Sequence, residues 1–409
     1  MTTAIELTRQ NVATLTRGLP RSARFGLKVA LAIRKGDLVI ELPTGERFRV
    51  RGAEAGPSAE VKLFNWGLVS RALRAGDLGV HESYLAGEWT SPDVTAFLEL
   101  FCVNDEILTR ELAAGPFVRI FLRLRHWLNR NSRSGSRRNI AAHYDLGNDF
   151  YRLWLDPSMT YSSAVFEPGE KDLTAAQIAK YRSLAERTEI GAGDHVLEIG
   201  CGWGGFAEFA ARERGARVTG LTISREQYDF ARRRIFEAGL ADRVDIRFQD
   251  YREVEGSFDR IASIEMFEAV GEEYWPVYFD RIGRVLKPGG RAGIQVITIQ
   301  DRIFPNYKRT PDFIQRYVFP GGMLPTPTHM SELGHRFGLA LTSEKVFGQD
   351  YARTLAEWRQ RFLDAWPRIV PLGFDDRFKR LWEYYLHYCE AGFRSGNIDV
   401  RQLVYVKGA

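Results

Sequence analysis

Three cysteines in 409 residues, Cys102, Cys201 and Cys389, are too few and too far apart for a disulfide framework or a CxxC-built zinc site. The seven histidines are scattered, so no metal cofactor is expected. No run of about 18 apolar residues exists to cross a bilayer. The start, Met1-Thr2-Thr3-Ala4-Ile5-Glu6, lacks the basic and apolar segments of a secretory signal. These absences place the protein in the cytoplasm. With 44% hydrophobic and 27% charged residues, the composition excludes wholesale disorder and is that of a globular protein with more than one domain.

Acids are missing from one stretch. Between Phe117 and Asn139 stand seven arginines (119, 123, 125, 130, 133, 137, 138) and no Asp or Glu. Its first half, Phe117 to Leu128, interleaves apolar and basic side chains as an interfacial helix does, which points to an anionic membrane surface. A packed helix followed by a solvated linker gives the same pattern. Nucleic acid ranks last, because no recognised binding motif accompanies the charge.

What the sequence does hold is a glycine turn. Val196-Leu197-Glu198-Ile199 is an apolar strand, and Gly200-Cys201-Gly202-Trp203-Gly204-Gly205 opens a helix. Such a turn lets backbone amides approach a ligand closely. Gly200, Gly202 and Gly205 also satisfy the dinucleotide pattern G-x-G-x-x-G, which leaves NAD and FAD open, as well as a turn that merely reverses the chain. Two features favour S-adenosylmethionine (SAM). Glu198 at the strand end suits a cationic ligand, and the next strand, Arg217 to Thr222, ends without the acid that holds a dinucleotide's ribose.

Along the chain, residues 1–128 read as a small α+β unit. It has strands around Pro43-Thr44-Gly45, a third strand at 59–64, and a helix from Val94 to Cys102 begun by Ser91-Pro92-Asp93. Residues 129–139 form a basic linker. From 140 to 409, strands at 194–199, 216–221, 244–249, 258–264 and 290–298 alternate with helices at 205–214, 224–239 and 272–287. That repetition predicts an α/β fold with a parallel, Rossmann-like sheet. A helical lid insertion is expected at about 300–395, before a final strand near Gln402 to Val406.

Several blocks in this second region carry a family resemblance. His143-Tyr144-Asp145-Leu146-Gly147-Asn148-Asp149-Phe150-Tyr151 and Leu155-Asp156-Pro157-Ser158-Met159-Thr160-Tyr161-Ser162-Ser163-Ala164 resemble the start of the catalytic domain of cyclopropane-fatty-acid synthases. Glu198 to Gly205, Leu221 to Gln227, Ser263 to Gly271, Phe313 to Gly322 and Phe347 to Tyr351 agree in order, and Glu82 to Trp89 is similar to the family's N-terminal domain.

The resemblance implies a SAM-dependent methyltransferase that adds a one-carbon unit to a double bond in a phospholipid acyl chain. It implies a homodimer, and with the arginine-rich stretch the expectation is a protein peripheral on the inner face of the membrane. It assigns the SAM site to Tyr161, Ser162, Gly200, Gly202, Thr222 and Gln227, with Gly204 in the same turn as Glu198, Asp250 and Tyr251 near the adenine, and Glu265 close to the donor. It assigns a bound bicarbonate, acting as base, to Glu268, Tyr351 and the backbone amide at Ser163. Tyr161, Phe267, Tyr317 and Tyr351 are the aromatic faces available to a developing carbocation.

The chain departs from the family at Ser163, where the resembled enzymes carry Cys, at Gln295, where they carry His, and at Ala269, another His. An amide side chain at 295 can still donate to an oxyanion. The product is open between a cyclopropane and a methyl- or methylene-branched chain, including methylated dienes or furan precursors. Two alternatives are a methyltransferase for a soluble small molecule and a catalytically silent lipid-binding protein.

Overall fold

In the computed structural model, residues 3–108 and 146–408 are described, and they divide into two units. The basic segment Phe117–Asn139, the linker at 129–139 and the His143-Tyr144-Asp145 part of the family block lie outside the described residues. No helix among the described residues is long and apolar enough to cross a membrane.

The first unit takes the N-terminal residues together with 312–318 and 374–395. Strands β1 (Ile5–Glu6), β2 (Lys35–Glu41), β3 (Arg47–Arg51), β4 (Glu54–Leu63) and β5 (Trp89–Thr90) form one sheet in the order β1-β3-β2-β4-β5. Along β2, Leu38 and Ile40 are buried while Asp37, Val39 and Glu41 are half-buried, the alternation of a sheet covered on one face. The covering helix, Val94–Val103, starts where the sequence places it. The Asp93 carboxylate accepts the Ala96 amide at 2.9 Å, satisfying one of the orphan donors of the first turn.

The second unit is built on a seven-stranded sheet. Its strands are β6 (His195–Ile199), β7 (Arg217–Thr222), β8 (Val244–Phe248), β9 (Phe258–Ile264), β10 (Leu286–Ile299), β11 (Leu339–Val346) and β12 (Ile398–Lys407), in the order β11-β12-β10-β9-β6-β7-β8. From β8 to β10 all neighbours are parallel, while β12 pairs antiparallel with β10 and with β11. The inner strand β6 is buried without alternation because helices cover both faces of the sheet there. Val196, Leu197 and Ile199 of β6 are all buried. Helices Gly205–Arg214, Arg225–Glu237 and Trp275–Val285 supply the crossovers, as the strand–helix repetition requires.

The expected lid is corrected in two respects. It contains a strand, β11, at the sheet edge, and its segments 312–318 and 374–395 group with the first unit. Helix Gly348–Ile369 stays with the second.

Candidate active site

The turn after β6 has the geometry its glycines allow. Gly200, Gly202 and Gly204 take φ of 81°, 53° and 80°, a region that costs residues with a Cβ strain. A Cβ on Gly200 would come within 2.6 Å of the Met266 side chain, whereas nothing lies within 4 Å of where one on Gly202 would sit. Gly202 therefore offers bare backbone to open space beside the N-terminus of helix Gly205–Arg214, a cradle suited to a cofactor.

Glu198 stands one residue before the end of the strand that leads into the turn. It is 2% exposed, one carboxyl oxygen has no partner among the described residues, and the carboxyl is hydrogen-bonded to the Ala207 amide in the first turn of the helix. Burial pushes its pKa well up, against the nearby Lys180 and Arg234 charges. Its hydrogen bond to Ala207 ties the strand to the helix that follows the turn.

At the end of β7 the Thr222 hydroxyl donates to Gln227 Oε1 at 3.0 Å and accepts the Ser224 amide at 3.1 Å, and Ser224 caps the next helix. After β8, Asp250 is clamped by Arg252 through bonds of 3.0 and 2.7 Å. That hydrogen bond holds its pKa below the usual value. Tyr251 lies against Tyr278. Gly200, Gly202, Gly204, Thr222, Gln227, Asp250 and Tyr251 thus stand at the carboxyl ends of adjacent parallel strands, where such sheets bind ligands.

Tyr161 and Ser162 come from a preceding segment. Tyr161 packs among Tyr151, Trp154 and Trp358. Ser162 accepts Lys180 Nζ at 2.6 Å on its hydroxyl and the Gln177 amide at 2.9 Å on its carbonyl. Lys180, wholly buried, was not singled out from sequence. Burial pushes its amine down to about 8, while Glu265, Asp156 and Glu198 oppose the shift. The signal for it was a lysine in the inward stripe 173, 177, 180, 184 of helix Leu173–Arg187.

The densest polar cluster surrounds Glu265, directly after β9. Its Oε1 accepts the Ser163 amide at 2.9 Å and Gln295 Nε2 at 2.8 Å, and its Oε2 accepts the Tyr351 hydroxyl at 2.6 Å. Its backbone has φ 49°, rare for a residue with a side chain, with the amide donated to the Gln295 carbonyl at 2.8 Å. Burial raises the Glu265 pKa, while the Tyr351 hydrogen bond, the Lys180 charge, and the bonds from Ser163 and Gln295 hold it down.

Glu268 is a different kind of acid. Its Oε1 accepts the Ile297 amide at 2.5 Å, its enclosed Oε2 has no partner among the described residues, and burial followed by the Glu265 charge pushes it up to about 8. Burial raises both carboxyls, three residues apart, but only Glu265 has donors on both of its oxygens to oppose the shift.

Ser163, Gln295 and Tyr351 therefore meet as expected, but on Glu265. The donors that the resemblance gives to bicarbonate, the Ser163 amide and the Tyr351 hydroxyl, are already used by a side chain of the protein. The residues present do not fit that ion. Phe267 is fully buried against Trp275 and Tyr278 and is a core residue. Tyr317 belongs to the first unit, where its hydroxyl donates to Glu82 at 3.1 Å and its ring packs on His81 and Phe313. It is not among the side chains gathered around Glu265.

Comparison with known proteins gives this geometry a context. A sequence model of the family described as mycolic acid cyclopropane synthetase matches residues 131–403. Tuberculostearic acid methyltransferase UfaA1 of Mycobacterium tuberculosis is 40% identical over 360 residues, which cover 83% of this chain and 81% of the relative. The cyclopropane-fatty-acyl-phospholipid synthase of Escherichia coli K12 is 34% identical over 358 residues, 86% of this chain and 88% of the relative. Among solved structures, cyclopropane synthase MmaA2 from Mycobacterium tuberculosis superposes with a TM-score of 0.62 at 31% identity, covering 68% of this chain and 100% of that one. Mycolic acid cyclopropane synthase CmaA1 complexed with SAH and CTAB gives 0.62 at 30% identity, covering 66% and 97%.

Proposed function

The chain belongs to the mycolic acid cyclopropane synthetase family and is a SAM-dependent enzyme that methylates or cyclopropanates fatty acyl chains; from that premise we propose that its substrate is a carbon–carbon double bond in an unsaturated acyl chain of a membrane phospholipid. One observation supports this above the others. A glycine turn and a carboxylate held by three donors stand at the carboxyl ends of β6 and β9, which are hydrogen-bonded neighbours. Methylation of an alkene needs both, a cofactor cradle and a place for the proton that must leave.

Bound SAM supplies a methyl group on a sulfonium, an electrophile an alkene can attack. Gly200, Gly202 and Gly204 give it backbone room, with Thr222, Gln227, Asp250 and Tyr251 at the neighbouring strand ends, and Tyr161 and Ser162 on the segment before the sheet. An isolated alkene is a weak nucleophile. Holding it in line is therefore a large part of the catalysis, at best about 7–11 kcal/mol. Attack leaves a positive charge on the acyl chain, which the rings of Tyr161 and Tyr351 can attract. Loss of a proton from the transferred methyl closes a cyclopropane or, after a 1,2-hydride shift, leaves a methylene, and loss from a neighbouring chain carbon leaves a methyl-branched alkene.

The enzyme works as a peripheral homodimer on the anionic inner face of the membrane. The acid-free, arginine-rich stretch Phe117–Asn139 supports this, each arginine near such a surface contributing on the order of 1 kcal/mol. The test is to incubate the full chain with methyl-labelled SAM and phosphatidylglycerol vesicles carrying monounsaturated or diene acyl chains. The expected result is acyl chains heavier by one CH2, with NMR of the product separating ring from branch. If label enters no lipid, the reading is wrong.

A further inference from the structure

We propose that the Glu265 carboxylate is itself the base of the reaction and stands permanently where an exogenous anion would otherwise be bound, so that this enzyme works without bicarbonate. The inference rests on the alkene-methylation reading above and names the group that completes it.

The donors around Glu265 are arranged for an anion. An ionised carboxylate offers about four acceptor positions. Three are filled, by the Ser163 amide and Gln295 Nε2 on Oε1 and by the Tyr351 hydroxyl on Oε2. The remaining position, on Oε2, is free to take a proton.

Gln295 can only be a donor here. Its Oε1 accepts Gln402 Nε2 at 3.1 Å, and Gln402 is fixed in turn by accepting the Ser183 hydroxyl at 2.7 Å and donating to the Lys180 carbonyl at 3.2 Å. Both glutamines are fully buried, so the network has no alternative partner in water. The Gln295 amide group is thereby turned toward Glu265. Gln295 and Gln402 are positioning residues. A further sign of selection for this placement is the left-handed backbone of Glu265 at φ 49°, a conformation kept only where the surroundings over-determine it.

Glu268 does not compete for the role. Among the described residues its enclosed Oε2 has no donor, and the adjacent Glu265 charge favours its neutral form. Of the two carboxyls only Glu265 has donors on both oxygens to support a negative charge, and only an ionised carboxylate can accept the proton.

The step balances within the protein. The alkene has gained the methyl and carries a carbocation. A C–H bond, on the new methyl or on the adjacent chain carbon, breaks as its proton passes to Glu265 Oε2. The electron pair left behind forms the third ring bond or a new double bond, and Glu265 becomes a carboxylic acid that later returns its proton to water.

The experiment compares the full-length enzyme in carbonate-free buffer with the same enzyme given bicarbonate, and titrates it with 13C-bicarbonate by NMR. The wild type is expected to turn over at the same rate in both and to show no saturable 13C signal. Glu265→Gln is expected to lose turnover about a hundred- to ten-thousandfold, the usual weight of a general base, with SAM binding by calorimetry unchanged. Glu265→Ala vacates the three donors, so it is expected to bind 13C-bicarbonate and to regain activity when the ion is added, which a merely structural residue would not do. A wild type that needs bicarbonate, or binds it saturably, overturns the inference, as does a folded Glu265→Gln enzyme with wild-type turnover. If the wild type methylates no lipid, the substrate reading fails, while the 13C titrations of wild type and Glu265→Ala still decide whether the carboxylate fills the anion's place.

Discussion

One phenol hydroxyl sets how basic the cluster is. Desolvation raises the Glu265 pKa, and the Tyr351 hydroxyl at 2.6 Å is foremost among the groups that oppose it. A hydrogen bond to a charged group is worth about 1.5–3 kcal/mol, and about 1.4 kcal/mol corresponds to one pH unit. Tyr351→Phe should therefore move the acidic limb of the kcat/KM profile upward by roughly 1–2 pH units. The sign follows from Glu265 having to be ionised: with its pKa raised, a higher pH is needed to reach the active form. A limb that stays in place in the variant would show that some other group titrates. This role of Glu265 was not legible in the sequence. Its donors lie 30, 86 and 102 positions away, at Gln295, Tyr351 and Ser163, and only the folded sheet brings them to one carboxylate. Identity of residue type was readable, while the partner each residue would choose was not.

The strand–turn–helix at β6 is the part of the fold most plainly written in the chain, because a doubly covered parallel strand must be apolar throughout and a ligand turn must shed its side chains. The same logic predicts how it fails. Gly202→Ala meets no neighbouring atom, so the fold should bear only the left-handed strain of about 1–2 kcal/mol. The methyl does, however, enter the space a cofactor needs. SAM affinity measured by calorimetry should then fall by roughly tenfold or more, about 1.4 kcal/mol, with a small loss of melting temperature. A variant that binds SAM as the wild type does would place the cofactor elsewhere. Strand β11 was hidden for the opposite reason. Seven of its eight residues are exposed or half-buried, as suits an edge strand, so it carries almost no hydrophobic period and its region reads as helical. Helix Asp376–Arg394 falls within the helical lid expected at about 300–395, but which unit it would pack with was not legible, since a buried stripe does not name its partner.

Buried acids give the molecule as a whole a pH dependence opposite to that of ordinary acid denaturation. Glu268, raised to about 8 by burial and by the Glu265 charge, binds its proton more tightly folded than unfolded. Its contribution to stability is complete below the ordinary carboxyl range and is lost as pH rises toward 8. Glu198, also raised, acts in the same direction. Asp312, raised to about 6 by burial, has lost its contribution by that pH. His81 has the other sign. Buried among aromatic rings, with neither ring nitrogen partnered among the described residues, it is pushed down to about 3, so stability rises with pH until the unfolded imidazole has also lost its proton, near 6.5. Between about 6.5 and 8, then, His81 and Asp312 are silent and the buried glutamates govern. Wild-type stability should decline across that window, Glu268 contributing a slope of at most about 1.4 kcal/mol per pH unit. Glu268→Gln keeps an acceptor for the Ile297 amide but has no proton to lose. Its melting temperature should therefore gain on the wild type as pH rises, by a few degrees at the alkaline end. Thermal melts of both proteins across the window measure this difference directly, and parallel curves would mean that Glu268 is ionised in the folded enzyme and that the two carboxyls share their charge.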